Sequence, residues 1–161
     1  MYFDDVHVGQ EIPTIIRGPL SPAHLMRWSA AIENWHRIHY DWKFATEHDG
    51  LPALPVNGSF KQHILVQLVS QFLGTEGWLL KLGYRFEKPD YAWDTVTGSG
   101  VVTAARRSGD FGVVECDLAL TNQRGEVSTR GTCAVALPLR GMLSVPYPIS
   151  PSIADSLSSD S

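Results

Sequence analysis

The sequence predicts an α+β fold in which one long helix lies across an antiparallel sheet. Apolar residues recur at helical spacing through the first half of the chain. After Gly77 the period changes to segments rich in β-branched and aromatic residues. Four successive strands joined by short turns favour an antiparallel sheet, and a helix with a wide apolar face needs such a sheet to cover it.

Residues 10–17 read as a short strand, with Pro13 placing it at an edge or breaking it. Ser21-Pro22 starts a helix: serine accepts from the first free N–H groups, and proline has no N–H to leave unpaired. This helix should run to about Glu33 with Leu25, Trp28 and Ile32 on one face. Asp41 caps a second, short helix at 42–48, and the Leu-Pro-rich stretch 50–55 is a rigid loop. Asn57-Gly58-Ser59 opens the strongest helix of the sequence. Phe60, Ile64, Leu65, Leu68, Val69 and Phe72 repeat along it, and Gly74 ends it. Strands are expected at 78–87, 95–106, 111–121 and 127–137, with turns at Ser108-Gly109-Asp110 and Asn122-Gln123-Arg124-Gly125. No internal repeat is found. The 161 residues suit one domain, taken as 1–140, followed by a Pro/Ser-rich tail at 141–161 whose last ten or so residues are expected to be disordered.

A net charge of -4 provides no broad cationic surface, so nucleic acid is not an expected partner. The start, Met1-Tyr2-Phe3-Asp4-Asp5, is acidic, and no apolar stretch is long enough to span a bilayer. No membrane association and a cytoplasmic location are therefore expected. Cys116 and Cys133 lack metal spacing and read as two buried thiols in a reducing compartment. No glycine-rich nucleotide loop is present, and no cofactor is expected.

Two polar clusters carry chemistry. The first runs from Asn34 to Asp41 and holds His36 and His39. Imidazole serves as base or acid near neutral pH. No further ligand completes a zinc or iron spacing, so no metal is expected there. Read locally, His36 is equally a hydrogen-bonded loop histidine, and Asp41 is first a helix cap. The second cluster is Asn57, Gly58 and Ser59 at the start of the central helix. Free N–H groups and partial positive charge there can grip a thioester carbonyl and stabilise an enolate. Read locally, Asn57 is simply a cap and Gly58 simply eases the turn.

Together the clusters resemble a known family. His36-Arg37-Ile38-His39-Tyr40-Asp41, Phe44-Ala45-Thr46-Glu47, Gly50-Leu51-Pro52 and Val56-Asn57-Gly58 resemble the MaoC-like hydratase/dehydratases. The likeness is to the "HRIHYD" branch, related to type 2 hydroxyacyl-thioester dehydratases and mesaconyl-CoA hydratases. The stretch from Tyr91 to Thr97 is similar to a strand start in small-subunit hydratases of steroid side-chain breakdown. The likeness covers about residues 5–138.

The resemblance implies a hot-dog fold, a long central helix wrapped by an antiparallel sheet, dimerised edge to edge. It implies (R)-specific addition of water to an enoyl thioester, or its removal from a 3-hydroxyacyl thioester. The substrate would be an acyl-CoA, with an acyl-carrier-protein thioester as the other choice. In the family pattern His39 matches the catalytic histidine, and Asn34 stands at the catalytic aspartate's position. Gly58 matches the glycine that polarises the carbonyl, and Asn57 replaces a histidine before it. An amide cannot take a proton from water. Asn34 can only orient the water, here through its carbonyl oxygen, which leaves proton transfer to His39, with His36 as a possible second carrier. The asparagine substitutions also motivate another expectation, a thioester-binding subunit active only with a second hot-dog or other partner chain. Thioester hydrolysis on the same fold is the third.

Overall fold

A computed structural model describes residues 1–148, so the disorder expected at the Ser-rich end lies outside the described residues. Strand β1 is Ile15–Arg17 and helix α1 is Pro22–Ala31. Helix α2 is Gly58–Leu73, followed by β2 Trp78–Phe86, β3 Val96–Ser108, β4 Phe111–Asn122 and β5 Val127–Pro138. All pairings are antiparallel, in the order β1-β3-β4-β5-β2. The sheet wraps α2, which is the hot-dog arrangement implied by the resemblance.

Helix α2 sits in the core because its apolar face is continuous. Ile64, Leu65, Leu68 and Val69 are fully buried, with Phe72 and Leu73 close behind. Each such side chain contributes about 1.5–3 kcal/mol on leaving water. Leu118, Leu120, Cys133, Val135 and Leu137 cover them from the sheet. Cys116 and Cys133 face one another across β4 and β5 as free, buried thiols.

Four expectations are corrected. Strand β2 does not pair with β3; it lies beyond β5, because the link 87–95 crosses the start of α2 instead of turning back. The strand expected at 10–17 is regular only from Ile15; before Pro13 a single bridge joins Glu11 to Val101. Helix α1 stops at Ala31, and its buried pair is Leu25 and Ser29, four residues apart, while Ile32 is exposed. The short helix after Asp41 opens at Trp42 but continues as a π-helix over Phe44–His48. The beginning of the tail is seated on the sheet: Val145 is buried beside Phe111 and Val113, and Tyr147 stacks on Trp78.

Candidate active site

Helix α1 delivers the first cluster through its C-terminal bonds. The Asn34 N–H reaches back to the Ser29 carbonyl (2.9 Å) and the Glu33 N–H to that of Ala30 (3.3 Å). This closing motif needs a left-handed residue, normally glycine. Glu33 occupies it at φ 54°, at a cost of roughly 1–2 kcal/mol. The chain is thereby turned so that Asn34 leads the loop. Asn34 Oδ1 accepts the His36 N–H at 3.1 Å.

The loop then folds on itself. Residues Arg37–His39 form a 3₁₀ turn, and the Tyr40 hydroxyl donates to the Trp35 carbonyl at 2.7 Å. Asp41 is engaged in structure: it accepts the Phe44 N–H at 3.0 Å and two Arg37 N–H groups at 3.0 and 2.6 Å. The Phe44 N–H, and after it Arg37, hold its carboxyl below the usual range. The expected cap role of Asp41 is what the geometry shows.

His39 reaches out of this loop. Its Nδ1 lies 2.8 Å from the Pro55 carbonyl oxygen. A carbonyl can only accept, so neutral His39 carries its proton on Nδ1 and leaves the Nε2 lone pair free. Burial pushes its pKa below 6.5; the Pro55 carbonyl opposes this, and the nearby His36 ring adds to it. The two rings are 6.1 Å apart. An imidazole held this way can accept a proton at Nε2.

Pro55 lies three residues before Gly58, so the same strip holds the second cluster. Asn57 caps α2: its Oδ1 accepts the Ser59 N–H (2.9 Å) and the Ser59 hydroxyl (2.6 Å). Ser59 Oγ in turn accepts the Trp28 indole N–H at 2.9 Å. Ser59 thus braces the cap between two helices. Among the described residues the Gly58 N–H has no acceptor, so it remains available at the positive end of α2. A Cβ on Gly58 would stand 2.8 Å from Phe86 Cε2, so a side chain there requires the Phe86 ring or the helix start to shift.

No hydrogen bond joins Asn34 to His39 among the described residues, although one loop carries both. No group of three or more His, Cys, Asp or Glu among those residues is placed to hold a metal, and no helix of theirs is long and apolar enough to cross a membrane.

The family model described as hydroxyacyl-thioester dehydratase type 2 matches residues 9–92, more than half of the chain. The match includes Asn34, His39, Asn57 and Gly58. The chain belongs to this family. No curated protein sequence matches it. Several solved structures share the fold of this hydroxyacyl-thioester dehydratase family member. An (R)-hydratase from A. caviae involved in PHA biosynthesis is 24% identical with TM-score 0.75, over 83% of this chain and 98% of its own. A MaoC-like dehydratase from Rhodospirillum rubrum is 21% identical with TM-score 0.77, over 88% and 99%. A chain of the ChsH1-ChsH2 complex from Mycobacterium tuberculosis is 23% identical with TM-score 0.71, over 81% and 98%. At these identities the likeness is one of fold.

Three contributors escape sequence reasoning. Pro55 acts through its backbone, which no side-chain motif reports. Phe86 comes from a strand whose partner local pattern cannot choose. Lys61 had a signal: a lone lysine in register with Ile64, Leu65 and Leu68 on the buried face of α2, where it is 2% exposed.

Proposed function

We propose that this chain is an (R)-specific hydro-lyase that interconverts enoyl and 3-hydroxyacyl thioesters, with acyl-CoA as substrate. The observation that carries the reading is the His39 Nδ1–Pro55 bond, which frees Nε2 as a base on the strip that ends at the Gly58 N–H. The thioester carbonyl accepts from Gly58, and its polarisation makes the β-carbon electrophilic. His39 Nε2 takes a proton from water as the oxygen bonds the β-carbon. The double-bond electrons move to the thioester as an enolate held by the Gly58 N–H. The imidazolium then returns a proton to the α-carbon, and elimination is the reverse path.

Asn34 positions the water in this scheme. Its Oδ1 already accepts the His36 N–H, so its amide N–H groups are the freer side to hold the water oxygen. The sequence expectation that the carbonyl oxygen orients the water shifts to the other end of the amide. Asn57 and Ser59 act on substrate only through the helix end they shape, and His36 stays an accessory proton carrier.

Among the described residues strand β2 pairs only with β5, and it exposes Trp78, Tyr84 and Phe86. An edge strand with exposed apolar side chains favours assembly. We assign a homodimer formed along β2, in the cytoplasm. The second reading is a subunit that works only beside another hot-dog chain, supported by the amide at position 34 and by the match to a chain solved in a complex. Thioester hydrolysis is less supported, because among the described residues no carboxylate bonds to His39 or to the cap of α2.

The test is a panel of short, branched, dicarboxylic and steroid-sized enoyl-CoAs, read by loss of the conjugated enoyl absorbance with free thiol assayed alongside. Hydration is expected from the chain alone. Activity only with a co-expressed partner supports the second reading, and thiol release supports hydrolysis.

A further inference from the structure

Behind the two clusters lies an ion pair that the mechanism above does not use. Lys61, in the first turn of α2, and Asp90, in the link before β3, have side chains 3% and 0% exposed. Lys61 Nζ stands 3.0 Å from Asp90 Oδ2 and donates to the carbonyls of Lys88 (2.8 Å) and Ser128 (3.1 Å). Neither carboxylate oxygen of Asp90 accepts a well-directed hydrogen bond among the described residues.

Stability does not account for this pair. A cation in a helix's first turn opposes the helix dipole. Burying two charges costs several kcal/mol per ion, and apolar replacements of similar volume are often neutral or stabilising. What the pair does is tie parts together. The Asp90 carbonyl accepts the Val56 N–H at 2.8 Å, Pro55 bridges to Tyr91, and the Ala92 N–H donates to Leu54 at 2.8 Å. That ladder fixes the strip 54–56, whose Pro55 carbonyl holds His39. From the other end, Lys61 rides on the helix turn that presents the Gly58 N–H. Phe86 spans both, 5.4 Å from Lys61 Nζ and packed against Gly58.

We propose that Lys61 and Asp90 are positioning residues that set His39 relative to the carbonyl-binding end of α2. The role rests on the hydration reading for its effect on rate, but the geometric claim stands on its own. A misplacement of about 1 Å between base and carbonyl site is worth about a hundredfold in rate.

The test uses the full chain with Lys61→Met/Asp90→Leu, which removes both charges at similar volume. Melting temperature, kcat and KM are measured, together with the ¹⁵N ring spectrum of His39, assigned with a His39→Gln control. The expected result is a folded variant whose kcat falls about tenfold to a hundredfold while KM changes less. The Nδ1–H form of His39 should also give way to a mixture of tautomers. Should the double variant not fold, Asp90→Asn, which keeps the backbone ladder, is read the same way, and Asp90→Glu should recover part of the loss. An unchanged His39 spectrum with kcat within twofold of wild type overturns the proposal. If wild type turns over no enoyl-CoA, the hydration reading fails, and the spectrum alone decides: a tautomer change supports the positioning role and an unchanged spectrum overturns it.

Discussion

His39 Nδ1 and the Pro55 carbonyl oxygen are 2.8 Å apart, and this contact links the two polar clusters of the chain. Through it a loop histidine is anchored to the strip that caps the central helix. The bond fixes the tautomer of the neutral ring, and burial favours that neutral form.

The pH profile should reflect this. The His39 pKa is lowered from 6.5, by burial first and by His36 in addition, against the pull of Pro55. Activity in kcat/KM should therefore rise along a limb centred below 6.5 and be level at neutral pH. Stability has the same sign. Between the lowered folded value and 6.5 the unfolded chain holds more protons, so His39 subtracts stability as pH falls below 6.5. Rate profiles and melts of wild type and His39→Gln check both, and a limb above 6.5 contradicts the assignment.

Asn34→Ala should be milder than loss of His39. In the proposed scheme it removes a water-orienting amide and the bond to the His36 N–H, not a proton carrier. A fall in kcat of about tenfold to a hundredfold is expected, with the fold intact by circular dichroism. A loss as deep as that of His39→Ala means Asn34 does more than orient water.

Gly58→Ala tests the helix end. The added methyl meets the Phe86 ring, and to the extent that the helix start yields rather than the ring, the N–H is displaced. Activity should drop, while stability changes by only about 1 kcal/mol because alanine is the better helix former. Phe86→Ala in the same chain should make room and restore part of the rate. No recovery would place the defect elsewhere.

Along the β2 edge, Trp78→Lys with Tyr84→Lys should weaken assembly. Light scattering is expected to show a dimer for wild type and smaller species for the variant. A wild-type monomer at all concentrations contradicts the β2 interface.

Much of the fold was legible. The limits of α2 and of the four long strands fall within two residues of expectation, because periodicity and turn residues act locally. The caps at Asp41 and Asn57 were legible for the same reason. The place of β2 beyond β5 was not, since strand pairing is decided by contacts between distant segments. Ile32 misled because the helix ends one residue before it, and an apolar residue past the last turn no longer shares the buried face. Asn34, His39 and Gly58, the residues of the proposed site, are picked out by residue type and spacing in the sequence. The His39–Pro55 anchor, the Phe86 ring over Gly58 and the Lys61–Asp90 pair each join segments distant in sequence, so no local pattern reports them.

The most direct test is the rate of enoyl-CoA hydration by His39→Ala beside wild type, at neutral pH and matched folded concentration. The account predicts measurable turnover by wild type and a loss of about 10²–10⁴-fold in the variant. Equal rates in the two proteins would contradict it.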